Sequence, residues 1–114
     1  MIKVQHGHLY LADLSPRFGT EPGKTRPILV IQTNFLNDVD HASTWILPCT
    51  TRLVGENILR VSLPKGIAGN NENCEVMIDQ SRTIDNLRFK KQLGKIPRII
   101  LIEVKDKLKK LADL

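Results

Sequence analysis

Apolar residues along this chain gather in short runs separated by polar turns, and the spacing within the runs changes only once. "HLYLADL" (8–14) and "PILVIQT" (27–33) are rich in β-formers, and "STWILPC" (43–49) and "ILRVSL" (58–63) repeat the pattern. The spacers carry the Gly, Pro and Asn that reversals of direction require. A further strand is predicted at "CEVMID" (74–79), behind the turn-rich "GIAGNNEN", and a last short one at "QLGKI" (92–96). Many short strands with few long helices predict a mainly β fold closed into a small barrel. The period changes after Pro97, where "PRIILIEVKDKLKKLADL" sets Ile100, Val104, Leu108 and Leu111 at helical spacing. A C-terminal helix is predicted over 97–112, with Pro97 in the first turn, where its missing N–H would be unpaired anyway. The apolar stripe of this helix packs on the barrel, and Lys105, Lys107, Lys109 and Lys110 form a solvated face.

Composition narrows the class of partner. The 114 residues contain no repeat, low-complexity tract or internal linker, so they are read as one domain, 1–114, long enough to bury a core without staples. Cys49 and Cys74 lack the close pair spacing of zinc or dithiol sites and are read as reduced, packed thiols, with no metal implied. "MIKVQHGHLY" has no signal-peptide stretch, and "ILVI" and "IILI" are too short to span a bilayer; a cytoplasmic protein with no membrane partner is expected. A net charge of +5 and a pI near 9.5 favour an anionic partner, either nucleic acid or an acidic protein segment. The few aromatic residues are scattered, which argues against a base-stacking sheet and leaves recognition to polar loops.

Three polar clusters interrupt the strands. "GTEPGKTRP" places Thr20, Glu21, Lys24, Thr25 and Arg26 on a connection between strands, where binding residues concentrate. "LPCTTRL" ends a strand with Thr50 and Thr51, and "DQSRTID" brings Gln80, Arg82 and Asp85 after another. The three are expected to converge on one rim. Each also has a plain structural reading: Arg26 pairs with Glu21 or Asp13, Arg82 and Asp85 form a local ion pair or turn, and Trp45 sits in the core or a dimer interface. His6 and His8 are surface residues at a strand start, or else they move protons near neutral pH.

Taken together, "LADLSP", the "G-[ST]-E-x-G-x-x-RP-x-LVIQ" segment, "P-x-T-[ST]" and "Q-x-RTID", in that order and spacing, resemble the MazF/PemK toxins of bacterial toxin–antitoxin modules nearly end to end. The resemblance implies an SH3-like barrel with a C-terminal helix. It also implies a homodimeric endoribonuclease that needs no metal or other cofactor and cuts single-stranded RNA within a short recognition sequence. The 2′-hydroxyl attacks, leaving a 2′,3′-cyclic phosphate and a 5′-hydroxyl, and translation and growth are inhibited. Carried over by position, the catalytic arginine and threonine fall on Arg26 and Thr50, and Phe18, Glu21 and Gln80 line the RNA groove. The partner implied beside RNA is an acidic antitoxin protein.

The chemistry is consistent with those residue types. Charge develops on the phosphoryl oxygens, to which a guanidinium fork and a hydroxyl can donate. Arg26 as general base is disfavoured because a guanidinium keeps its proton near neutral pH. Where the family commonly has Arg-Gly-Asp or Arg-Gly-Glu before the first strand, this chain has "QHGHLY". Two alternatives remain: a gyrase poison like CcdB, disfavoured by the ending "LADL" in place of a Trp-bearing tail, and a degenerate member that binds antitoxin without cleaving RNA.

Overall fold

The computed structural model, which describes residues 2–114, turns the apolar runs into strands buried on two faces rather than one. Seven strands form, β1 His8–Asp13, β2 Thr25–Val30, β3 Ser43–Thr50, β4 Arg60–Leu63, β5 Cys74–Met77, β6 Arg82–Asp85 and β7 Phe89–Lys95. A short helix α1, Asn34–Asn37, follows β2, and α2, Arg98–Leu111, closes the described chain. In β2 and the residue after it, Ile28 and Val30 belong to one core with Tyr10, Ile46 and Phe89, while Leu29 and Ile31 belong to a second with Leu47, Val61, Val76 and Val104. Because successive side chains leave opposite faces of a strand, a continuous apolar run is what a doubly covered strand requires. Each fully buried Leu or Ile there is worth roughly 1.5–3 kcal/mol over exposure.

The strands are joined in the order β4-β5-β3-β2-β1-β7, with β6 added on β3. All the ladders are antiparallel. Among the described residues no ladder joins β4 to β7, so the barrel is open. Strand β3 is the hinge of the sheet: Ser43–Ile46 face β6, Ile46–Pro48 face β2, and Cys49 and Thr50 face Val76 and Glu75 of β5. The helix α2 lays Ile100, Leu101, Val104 and Leu108 on the second core.

Several expectations need correction. Pro97 is the N-cap of α2 rather than a residue of its first turn, and Leu111 is half exposed instead of completing the stripe. Lys107 leaves the solvated face: its Nζ donates to the Arg60 carbonyl at 2.8 Å and to Glu103 at 3.1 Å. "RTID" is itself a strand, β6, and β7 begins three residues ahead of "QLGKI", at Phe89. Asp85 forms a turn, accepting from the Leu87 N–H, and has no ion pair with Arg82. Trp45 lies in β3 opposite Thr83 but is 43% exposed, outside both cores. Cys49 and Cys74 are buried and unbridged, as read from the sequence. No helix among the described residues is long and apolar enough to cross a membrane.

Candidate functional site

Arg26 and Thr50 come together just past the end of a strand pairing. The β2–β3 ladder ends at Ile28 and Pro48, two residues short of Arg26 and Thr50, and Arg26 is bonded to the carbonyl of Cys49, the residue before Thr50. The Arg26 side chain does not pair with Glu21 or Asp13. Its Nε donates to the Gly23 carbonyl at 2.8 Å and one terminal nitrogen donates to the Cys49 carbonyl at 3.3 Å. Gly23 is needed there: a Cβ would stand 2.8 Å from the Cβ of Arg17, so only glycine lets the loop close tightly enough to offer its carbonyl. Among the described residues the remaining N–H donors of the guanidinium have no partner, and they are what the site can present to an anion. Burial, with Arg17 nearby, lowers the Arg26 pKa, yet a guanidinium starts so high that it stays cationic at neutral pH.

Thr50 is half buried at the end of β3, and its Oγ1 accepts from the Arg52 N–H at 3.1 Å. An oxygen engaged as an acceptor leaves its own O–H free to donate. Arginine and threonine thus both offer donors, each held by backbone atoms.

Both residues line a cleft of about 770 Å³ whose walls come from distant parts of the chain. The β1–β2 connection contributes Arg17, Glu21 and Lys24, the segment after β3 contributes Thr51 and Arg52, β4 contributes Arg60, and β7 contributes Lys91. Asn70, Asn71 and Glu72 close the side formed by the β4–β5 connection. Cations outnumber carboxylates on these walls, as a phosphate chain would require. Cys49 also lines the cleft; its sulfur contact with Cys74, together with full burial, pushes its thiol up and leaves it un-ionised.

Of the sequence-predicted residues, Arg26, Thr50 and Glu21 line the cleft. Phe18, on the same loop as Glu21, is 80% exposed and is not among the residues lining it, and Gln80 is half buried at the end of the turn Ile78–Gln80, also outside the lining. The "DQSRTID" cluster does not join the other two on the rim. Since β5 and β6 both run antiparallel to β3, the chain beyond Met77 travels back toward Ser43, away from Thr50. His6 lines a separate surface hollow with Asp38 and Lys105, and His8 faces Lys95 across the β1–β7 ladder. Burial and Lys95 lower the His8 pKa, but neither histidine lines the cleft. Sequence reasoning missed Arg52, Arg60, Glu72 and Lys91. A polar residue inside a turn or an amphipathic strand carries no signal of the wall it will join.

Comparison with known proteins agrees with this architecture. The PemK-like, MazF-like toxins of type II toxin–antitoxin systems match residues 5–112. Endoribonuclease MazF of Staphylococcus epidermidis is 30% identical over 107 residues, covering 92% of this chain and 88% of that protein. The crystal structure of MazF from Deinococcus radiodurans superposes with a TM-score of 0.85 at 30% identity, covering 100% of both chains. A MazE–MazF structure from the same organism superposes at 0.79, with 30% identity over 100% of this chain and 99% of that one. Matched in sequence from the first turn to the last helix, and in the course of its backbone throughout, the chain belongs to the PemK/MazF toxin family.

Proposed function

We propose that this chain is an endoribonuclease toxin that cleaves single-stranded RNA in the Arg26–Thr50 cleft, acting as one domain over residues 1–114 in the cytoplasm. The carrying observation is a fixed guanidinium with unused donors and a hydroxyl free to donate, in one cleft where cations outnumber carboxylates. The 2′-hydroxyl of one nucleotide attacks the adjacent phosphorus and releases its proton, the P–O5′ bond breaks, and the leaving O5′ takes up a proton, so that a 2′,3′-cyclic phosphate and a 5′-hydroxyl remain. Arg26 and Thr50 donate to the phosphoryl oxygens, where charge grows in the transition state. Arg17, Lys24 and Lys91 hold flanking phosphates, and Glu21 reads a base from the loop. Phe18 and Gln80 touch RNA only where the strand runs past the cleft. No step requires a metal.

The D. radiodurans MazE–MazF structure motivates the partner. An antitoxin with an acidic segment is expected to fold across the same cationic cleft, in competition with RNA, and the toxin is expected to be a homodimer. The test is incubation of the purified protein with a defined long RNA in EDTA. Discrete cuts bearing 5′-hydroxyl ends support the reading; intact RNA together with blocked gyrase points to a CcdB-like poison.

A further inference from the structure

Glu75 is a carboxylate in the middle of a strand whose every residue is buried, and the cleavage chemistry above makes no use of it. Its side chain is 5% exposed and its Cα partner across the ladder is Thr50. One oxygen accepts from a terminal nitrogen of Arg60 at 2.7 Å and from the Val54 N–H at 3.2 Å; the other accepts from the Gly55 N–H at 3.0 Å. The same Arg60 nitrogen donates to the Arg52 carbonyl at 3.2 Å. The Arg52 N–H is the group that engages the Thr50 hydroxyl oxygen at 3.1 Å. An unbroken path of hydrogen bonds, joined through the backbone of Arg52, therefore runs from the buried carboxylate to the hydroxyl in the cleft.

We propose that Glu75, acting through Arg60, is a positioning residue that clamps residues 52–55 and thereby orients the Thr50 hydroxyl; this rests on the ribonuclease reading above. Packing does not hold that loop. Leu53 and Val54 are 51% and 60% exposed, so burial contributes little to fixing its backbone. Nor is stability a sufficient reason for the pair. Desolvating two charges costs about as much as their attraction returns, and an apolar pair of similar volume is often as stable. What an apolar pair cannot do is accept two backbone N–H groups and donate to a carbonyl. The carboxylate itself is held below the ordinary range: burial raises its pKa, but the Val54 and Gly55 N–H groups and Arg60 outweigh burial.

Two variants test the clamp: Glu75→Gln, which keeps the shape, and the double variant Glu75→Leu with Arg60→Met, which removes both charges together and leaves the net charge unchanged. Readouts are single-turnover cleavage, affinity for an RNA with a 2′-deoxy scissile nucleotide, thermal melting, and hydrogen exchange at the Arg52, Val54 and Gly55 amides. In both variants these amides are expected to exchange faster, and cleavage to slow ~10- to 100-fold, the scale of a small misplacement at a reacting centre. In Glu75→Gln, affinity is expected to stay within about threefold, because every cation of the cleft wall is retained. The double variant is expected to melt close to wild type, which separates positioning from loss of fold. A folded double variant that cleaves at the wild-type rate overturns the proposal, as does unchanged amide exchange in a slow Glu75→Gln protein. Wild-type protein that cuts no RNA overturns the ribonuclease reading alone, and amide exchange still decides whether the clamp exists.

Discussion

Replacing Arg26 by lysine keeps the charge and removes the fork, and the structure indicates what each is worth. In the native protein two of the guanidinium donors are spent on the Gly23 and Cys49 carbonyls, at 2.8 and 3.3 Å, which fixes the plane of the group before substrate arrives. A lysine ammonium is a single centre that cannot hold both carbonyls and still present paired donors to a phosphoryl group. Loss of one preorganised donor to a developing oxyanion costs about 2.7–4 kcal/mol, so single-turnover cleavage by Arg26→Lys is expected to fall ~10²- to 10³-fold. Affinity for a 2′-deoxy RNA should stay within about threefold, since that term follows charge. One carbonyl loses its donor, at a cost of about 1 kcal/mol, and the melting temperature should drop by only about 3–6 °C. The assay pairs single-turnover cleavage with that affinity and a melting curve on the same preparation. A lysine variant that cleaves at the native rate would refute the reasoning, and one inactive only because it is unfolded would make Arg26 structural.

Thr50→Val keeps the β-branched shape but removes the donor, and should lose ~10²-fold or more in cleavage, whereas Thr51→Val should lose less; equal rates in the two variants would show that the hydroxyl has been assigned to the wrong residue. Glu75 has a folded-state pKa below that of the unfolded chain, so the stability it contributes is fully present above the ordinary carboxylate value and is lost as pH falls through the lower, folded value. Acid titrations of thermal stability should therefore show wild type and Glu75→Gln converging on the acid side of that window, and a gap that stays constant there would contradict it. Gly94→Ala places a Cβ 2.9 Å from the Ala68 carbonyl oxygen, a contact with backbone that cannot swing aside. Its melting temperature should fall by several degrees, and an unchanged value would mean that the 64–73 connection yields freely. RNA and an acidic antitoxin peptide should displace one another, both less tightly as salt rises; a ternary complex formed without mutual loss of affinity would separate their sites.

Much of the scaffold was readable because doubly buried strands leave continuous apolar runs and their reversals need Gly, Pro or Asn. Strand β6 escaped because Ile84 is its only buried residue, and four residues are too few to show a period. That omission misdirected the rim: only the pairing of "RTID" with the start of β3 reveals that it lies away from Thr50. The partners of Arg26 were hidden for another reason. Sequence suggests ion pairs because charged side chains are visible in it, but the partners are two backbone carbonyls, which every residue carries. Glu75 could have been noticed, since a carboxylate between Cys74 and Val76 in an apolar strand demands a buried partner. That the partner is Arg60, and that the pair faces Thr50, follows only from register.

The cleft walls also fix when the chain can become active. Arg26 and Thr50 are made early in synthesis, but the wall that carries Lys91 and Leu93 belongs to β7, which pairs with β1, the first strand made. Domains emerge from the ribosome N-terminus first and fold as units, so a nascent chain carries Arg26 and Thr50 before it has the wall that completes the cleft. The edge of the sheet opposite β4 is then the last wall of the cleft to be made. Chains stalled on the ribosome before β7 is released should be harmless to RNA, and cleavage by such chains would show that the remaining strands assemble the site unaided. Toxicity in such a protein arrives with completion of the fold, which gives a cell the interval of translation in which to have an inhibitor waiting.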